Sequence, residues 1–436
     1  MENEIRFKRN QIEKMKMKLF SEKEEQYCIL AGKLEEIGKK RIYKILEIIY
    51  PNKSDIKSLS NVHISIKKEF IYANLEKINK RMDIDTFLEV HTHPFQKNEV
   101  DFSFVDDNDE KEFNKYLQKF YKKLNYGNIV FSKTAYKGRV LIAEKFEDLK
   151  IREEERVMSL EKLSDINFKI YDRSIRFMGM KKLKEINLQK KVTIVGVGGL
   201  GSIIAENLLQ MGVQNLVLID DDIVDFSNLN RMVGINYKDA QEKKYKVEAL
   251  KEHLYSINPE VQIETINKSV LEKEVLDRII DSSKIFLTTD NHLSRAFIND
   301  MCVKYYIPFI SIGVNISINK EKITDISGEI IKINPGDKFC LRCLKRLNQI
   351  KIDYEKINCE EIKNKMEKNR YIKNEKEPAV KTLNSIMGAL AVDMFLNESI
   401  KYSREVNILV YEYNDLPKIY EEKIDLKKIK NCYICH

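Results

Sequence analysis

The segment from Val192 to Asp220 constrains the fold most. Val192-Thr193-Ile194-Val195 is a short apolar run of the kind that forms a buried strand, and it is broken by Gly196-Val197-Gly198-Gly199-Leu200-Gly201. Ile203, Ile204, Leu208 and Leu209 then mark one face of a helix, with Gly212 placed as its C-cap. Leu216 to Ile219 is a second strand and it ends at Asp220. Strand, glycine turn, helix and strand ending in an acid form the first unit of a doubly wound nucleotide-binding sheet. Ile285 to Thr288 and Pro308 to Gly313 continue that sheet, so the second half of the chain, from residue 168, is of the α/β class.

A chain of 436 residues has room for more than one core. Residues 1–150 carry a different pattern, that of an α+β unit. Ile12, Met15 and Leu19 recur at helical spacing. Tyr27 to Leu30, Val62 to Ile66 and Phe87 to Val90 are expected strands. Lys111 to Leu124 is an amphipathic helix, and Ile129 to Phe131 with Val140 to Ala143 return to strand. Leu149 to Lys162 is highly charged and lacks Gly and Pro. It is expected to be helical, with residues 151–167 connecting the two domains. Residues 347–378, dense in Lys, Glu and Asn, are expected to be an exposed excursion from the second domain. Val380 to Leu396 is again apolar and helical.

No run reaches the ~20 apolar residues of a membrane span, and the N-terminus lacks a signal-peptide core, so a cytoplasmic location is expected. The net charge of +8 is spread along the chain and does not argue for a nucleic-acid partner. Seven cysteines, an odd number, do not suggest a disulfide framework. Four of them form two C-x-x-C pairs, Cys340/Cys343 and Cys432/Cys435, a pattern that suits a tetrahedral four-thiolate zinc site. A redox role for either pair is the rival reading.

His91-Thr92-His93-Pro94 ends the Phe87–Val90 strand, and alternation puts both imidazoles on one face. Asp106, in Ser103-Phe104-Val105-Asp106, can supply a third, oxygen ligand, leaving zinc a position for water. Hydrolysis also needs a carboxylate to shuttle the proton and a donor to hold the oxyanion. The motif resembles that of the JAMM/MPN metalloproteases, which remove ubiquitin or ubiquitin-like proteins, and Glu25 to Gly32 looks like that family's glutamate strand. The resemblance spans most of residues 1–150. It implies His91, His93 and Asp106 as catalytic zinc ligands, Glu25 as general base and Ser103 as oxyanion stabiliser. Asp101 is an alternative ligand and Glu24 an alternative base. Cys28 stands where the family usually has glycine.

The glycine segment alone suits an NAD enzyme equally well, and Asp220 would bind a ribose in either case. Asn228, Arg231, Lys246 and Asp290 are charged and polar groups of the kind that serve ATP phosphates and magnesium. With Leu218 to Asp222, Ser227 to Arg231, Lys246 to Glu248 and Thr288 to Asn291 in that order, residues 168–436 resemble the ThiF/MoeB/HesA adenylyltransferases of the ubiquitin-activating superfamily. Met232 departs from the glutamine expected after the arginine. The resemblance implies that Gly196, Gly198, Gly199 and Gly201 admit the nucleotide and Asp220 holds its ribose. It implies that Asn228, Arg231 and Lys246 neutralise phosphates, and that Asp290 binds magnesium. It also implies that Arg173 reaches the ATP site of a partner subunit, hence a homodimer, and that the cysteine pairs are a structural zinc site. Asp221, Asp222 and Asp225 read as a solvated loop. Cys359 is either a thioester acceptor or a surface thiol, whereas Cys28 and Cys302 read as packing.

Together the halves suggest one small ubiquitin-like or sulfur-carrier protein as partner. One half would trim or release its C-terminus and the other adenylate it, with or without a separate conjugating enzyme. Defence against phage and sulfur transfer both fit. The alternatives are an adenylating enzyme acting on tRNA and a scaffold that binds a carrier without processing it.

Overall fold

The computed structural model describes residues 1–59, 64–94, 100–102, 104–152, 168–187, 191–319, 322–357, 378–429, 432, 434 and 435, with the side chains of 104–108, 168 and 428 excepted. The chain divides into two compact units, Met1–Val157 and Met158–His436.

In the first unit, β1 (Glu2–Arg6), β2 (Tyr27–Ile37), β3 (Lys40–Ile49), β6 (Thr86–Thr92), β7 (Asn125–Phe131), β8 (Tyr136–Ile142) and β9 (Lys145–Ile151) close a barrel in the order β1-β3-β2-β6-β7-β8-β9. A short pair, β4 (Ile56–Leu59) and β5 (Ile64–Ile66), stands apart from it. Alternation along the strands gives two cores. Leu30, Leu88, Val90, Ile129 and Phe131 share one with Ile12, Met15 and Leu19 of the helix Gln11–Leu19. Ile29, Phe87 and Tyr126 belong to the other, with Leu75 and Ile78 of the helix Lys68–Asn79 and Leu117 of the helix Phe104–Phe120. Cys28 is buried in the first core, as a packing residue should be, and burial pushes its thiol well above the usual range.

The expected helix from Leu149 is corrected here. Leu149, Lys150 and Ile151 are strand, paired in parallel with Asn3, Glu4 and Ile5. A charged run without Gly or Pro suits either element, and the unpaired edge of β1 decides for strand. The rest of that connector lies outside the described residues.

The second unit holds one eight-stranded sheet. It contains β10 (Val192–Val195), β11 (Asn215–Ile219), β12 (Gln262–Ile266), β13 (Lys284–Leu287), β14 (Phe309–Asn319), β15 (Lys322–Ile333), β16 (Ile408–Tyr413) and β17 (Pro417–Glu421), in the order β12-β11-β10-β13-β14-β15-β16-β17. The strands from β12 to β14 are parallel, and β15 to β17 add an antiparallel extension. The helix Gly199–Gln210 ends as expected at Gly212, whose φ is +108°. Gly388 of the helix Lys381–Ile400 lets that helix approach Ile203 and Ile204 closely. The excursion is corrected in part: Gln349–Lys356 is a helix with Ile352 buried, and 358–377 lie outside the described residues.

The glycine turn allows almost no substitution at Gly201. A Cβ there would lie 2.0 Å from the Gly196 carbonyl oxygen, which is backbone and cannot swing away. Gly201→Ala should therefore destabilise the protein by about 1–3 kcal/mol, as overpacking does. Thermal unfolding measures this, and an unchanged midpoint would contradict it.

Candidate functional sites

In the second unit the candidate site lies at the carboxyl ends of β10, β11 and β13. Central β10 pairs Val195 with Ile219 of β11 and with Leu287 of β13, so Gly196, Asp220 and Thr288 leave the sheet side by side. This is the crevice in which open α/β sheets bind ligands. Gly196 has φ +91°, and a Cβ there would lie 2.8 Å from the Thr289 nitrogen. The Thr288 hydroxyl donates to the Gly196 carbonyl at 2.5 Å.

Asp220 accepts the Val197 N–H at 2.6 Å and the Asp222 N–H at 3.0 Å. Burial raises its carboxyl above the ordinary value, against the lowering effect of Lys246. Lys246 begins the helix Lys246–Ile257, and its ammonium is 2.6 Å from Asp222 and 4.0 Å from Asp220. Asp222 is thus more than a solvated loop residue, because it holds a cation of the site. Asp225 likewise caps a 3-10 turn: its carboxylate accepts the Ser227 N–H, while its own N–H donates to Asn228 Oδ1. Asp221 is exposed.

Arg231 donates to the Ser227 carbonyl and runs its aliphatic stem past Gly199. Met232 is buried. Asp290 is exposed at the end of β13, and Asn291 behind it caps the helix His292–Lys304 by accepting the Ser294 N–H at 2.7 Å. Arg173 lies exposed on the helix Asp172–Met178. Cys359 lies outside the described residues, and Cys302 is buried.

Sequence reasoning missed Glu355. Its carboxylate accepts the N–H groups of His292 and Leu293 at 3.1 and 2.6 Å, at the start of the helix that follows Asp290. An anion is favoured there by the helix dipole. A lone glutamate in a Lys/Glu-rich run gives no signal of such a partner.

The four cysteines of the two C-x-x-C pairs converge. Sγ separations are 3.7 Å for Cys340–Cys432, 3.8 Å for Cys343–Cys435 and 3.9 Å for Cys340–Cys343. Four thiolates about 2.3 Å from a common tetrahedral centre stand about 3.8 Å apart. The residues therefore fit a four-thiolate ion, and the separations are far beyond the ~2.05 Å of a disulfide. The Cys340 N–H also donates to Cys343 Sγ at 3.0 Å.

In the first unit, β2 and β6 run antiparallel with Tyr27 opposite His91. The same register carries Glu25 opposite His93, two residues before the strand begins. Gln26 and Thr92 exchange bonds between them, at 2.9 Å from the Gln26 N–H to Thr92 Oγ1 and 3.1 Å from the Thr92 N–H to the Gln26 carbonyl. Glu25 is buried, with Oε1 3.9 Å from His93 Nε2, and the two imidazole rings are 5.0 Å apart. Glu24 is half-buried. Asp101 is exposed and paired with Lys137 at 2.7 Å. The structure thus brings Glu25, His91 and His93 together. Asp106 falls in the first turn of the helix Phe104–Phe120, its side chain outside the described residues, as is Ser103.

Glu89 was also missed. It shares a strand face with His91 and accepts the hydroxyls of Tyr27 and Tyr126, each at 2.5 Å. Burial holds its carboxyl above the usual value.

The parallel sheet with its glycine turn defines the second unit as a Rossmann-like domain. Residues 171–433 match the model of the ThiF family, and the chain belongs to that family. It is similar to ubiquitin-like modifier-activating enzyme 5 of Aedes aegypti, 31% identical over 182 residues, 39% of this chain and 43% of the relative. The same enzyme of Drosophila ananassae is 33% identical over 187 residues, 40% of this chain and 45% of the relative. The chain thus spans less than half the length of these relatives. A crystal structure of E. coli MccB with MccA-N7isoASN superposes with a TM-score of 0.48 at 19% identity, covering 65% of this chain and 81% of that one. No helix among the described residues is long and apolar enough to cross a membrane.

Proposed function

We propose that the second unit adenylates the C-terminal carboxylate of a small ubiquitin-like or sulfur-carrier protein, and that the first unit trims or releases that C-terminus. The carboxylate oxygen attacks the α-phosphorus of ATP, the α–β bridging bond breaks, and pyrophosphate leaves with the bond electrons. What carries this reading is the convergence of Asp220, Lys246 and the Thr288–Asp290 segment on one glycine turn. Asp220 would hold the ribose, and Asn228, Arg231 and Lys246 would neutralise the phosphates. Lys246 and Arg231 now rest on Asp222 and the Ser227 carbonyl, and each would exchange that oxygen for a phosphate oxygen, a charge-assisted bond of at least equal strength. Asp290 would hold magnesium, which would neutralise charge on the pyrophosphate. Arg173, on its exposed helix, is available to the site of a second copy.

The hydrolytic reading of the first unit is supported by Glu25, His91 and His93 standing together, with Asp106 proposed as the third ligand and Ser103 as the oxyanion donor. These residues would hold a zinc ion, which would supply a water acidic enough to lose its proton near neutral pH. Glu25, beside His93, would take its proton and deliver it to the leaving amine. The cysteine cluster is proposed to hold a structural zinc. The Cys359 thiolate is proposed to attack the acyl carbon of the adenylate, forming a thioester as the acyl–phosphate bond breaks and AMP leaves.

ATP–pyrophosphate exchange with carriers ending in Gly-Gly tests the activating half. A metal contact supplies several kcal/mol of transition-state stabilisation, so Asp290→Ala should lower exchange about 10²–10³-fold. Carrier binding without exchange would favour a scaffold, and exchange driven by tRNA would move the substrate to that class.

A further inference from the structure

We infer that Arg139 is a positioning residue for the histidine pair, an inference that rests on the hydrolytic reading above. Arg139 stands on β8, and its guanidinium does three things at once. Nε and Nη2 donate to the two carboxylate oxygens of Glu110 at 3.0 and 2.9 Å, a bidentate fork. One face lies 3.7 Å from the centre of the Phe102 ring. Phe146 of β9 stacks 4.0 Å from it as well. Phe102 in turn meets His91 edge-on, with ring centres 6.3 Å apart and planes at 64°.

Two of these contacts, to Phe102 and Glu110, reach different parts of the proposed hydrolytic site. Phe102 directly precedes Ser103 and touches His91. Glu110 lies four residues after Asp106 on the same helix, so the two positions share a helix face. The Arg139 side chain is 12% exposed and that of Glu110 3%, so the pair is largely removed from solvent and its geometry is tightly held. Glu110 balances the arginine's charge, and the cation–π contact then acts through orientation. One guanidinium thus ties the His91 strand, the Phe102 segment and the Asp106 helix into one frame. Groups that orient metal ligands from behind are usually worth 10–100-fold in metal affinity.

Cobalt is the probe, because its visible bands on nitrogen and oxygen ligands separate from the thiolate bands of the cysteine cluster. In wild-type protein a cobalt site lost on His91→Ala is the reference. Phe102→Ala and Arg139→Met should each weaken that site about 10–100-fold, in cobalt titration and in zinc competition with a chromophoric chelator. Arg139→Lys keeps the charge but lacks the planar fork, and should recover only part. Arg139→Met strands a buried carboxylate and can compromise folding. Phe102→Ala removes a half-buried ring, leaves the ion pair intact, and should keep the metal-free melting midpoint near wild type. Wild-type cobalt affinity and spectrum in Phe102→Ala would overturn the inference, leaving Arg139 as a strut between helix and barrel. If instead His91→Ala leaves wild-type cobalt binding unchanged, the hydrolytic reading itself falls and the positioning role with it.

Discussion

Glu25→Ala should slow the hydrolytic step about 10²- to 10⁴-fold, the usual worth of a placed general base. The side chain is buried and 3.9 Å from His93 Nε2, close enough to relay a proton at the histidine pair without ligating in place of an imidazole. Truncation removes a carboxylate that contributes little packing, so zinc binding and the melting midpoint should stay near wild type. The adenylation half should be unaffected, since its residues belong to the other unit. In the protein's native cells, uncut substrate should accumulate on the variant. Mass spectrometry of the small proteins recovered with it decides between the two hydrolytic roles. A carrier with an uncut C-terminal extension establishes maturation, and a carrier joined to lysines establishes deconjugation. If neither accumulates, the first unit is not the protease proposed.

Removing the ion from the cysteine cluster should have the largest effect on stability. Without a cation, sulfurs about 3.8 Å apart must take up protons to avoid mutual repulsion, and structural zinc binding is worth on the order of 10 kcal/mol in small domains. The sulfurs come from residues 92 apart in sequence, so an ion bound there would staple Cys432 and Cys435 to the Cys340–Cys343 turn. That turn is held from below: the Leu341 N–H donates to Asn299, and Arg342 forks onto Asp300. These bonds should keep the turn formed in the metal-free protein while the C-terminal strap detaches. Cys435→Ser, or exhaustive chelation, should therefore lower the melting midpoint by about 20–40 °C, since each kcal/mol moves a domain of this size by roughly 2–4 °C. Proteolysis should then clip first near residue 430. Metal analysis of purified protein checks the premise. A Cys340–Cys343 disulfide formed under mild oxidant, with no bound metal, would restore the redox reading.

The parts of this protein written in local pattern were readable from the chain. The strand–glycine–helix unit from Val192 to Gly212 and the helix face of Ile12, Met15 and Leu19 depend on residues a few positions apart. The two cysteine pairs and the histidine pair are likewise patterns of residues two or three positions apart. Strands whose partners are distant were misjudged. Leu149–Ile151 lacks any residue that forbids a helix, and pairing with β1 residues 146 positions away makes it a strand. Neither β1 nor β3 was expected, because each mixes charged and apolar residues and is defined by what it pairs with.

The same division runs through the candidate sites. Local sequence supplied the residue types: glycines that let backbones meet, acids at strand ends, imidazoles two apart. Which groups face one another was decided by tertiary structure. The antiparallel register of β2 and β6 puts Glu25 rather than Glu24 at His93. The parallel register of β10 with β13 lays Thr289 against Gly196. Arg139, Glu110 and Glu355 carry no motif, and the hydrogen bonds described for them join residues 29 to 63 apart. Side-chain periodicity is set by backbone geometry within a few residues, so it can be read along the chain. Contact between distant segments depends on the whole packed arrangement that closes the loops between them, and no local pattern encodes it.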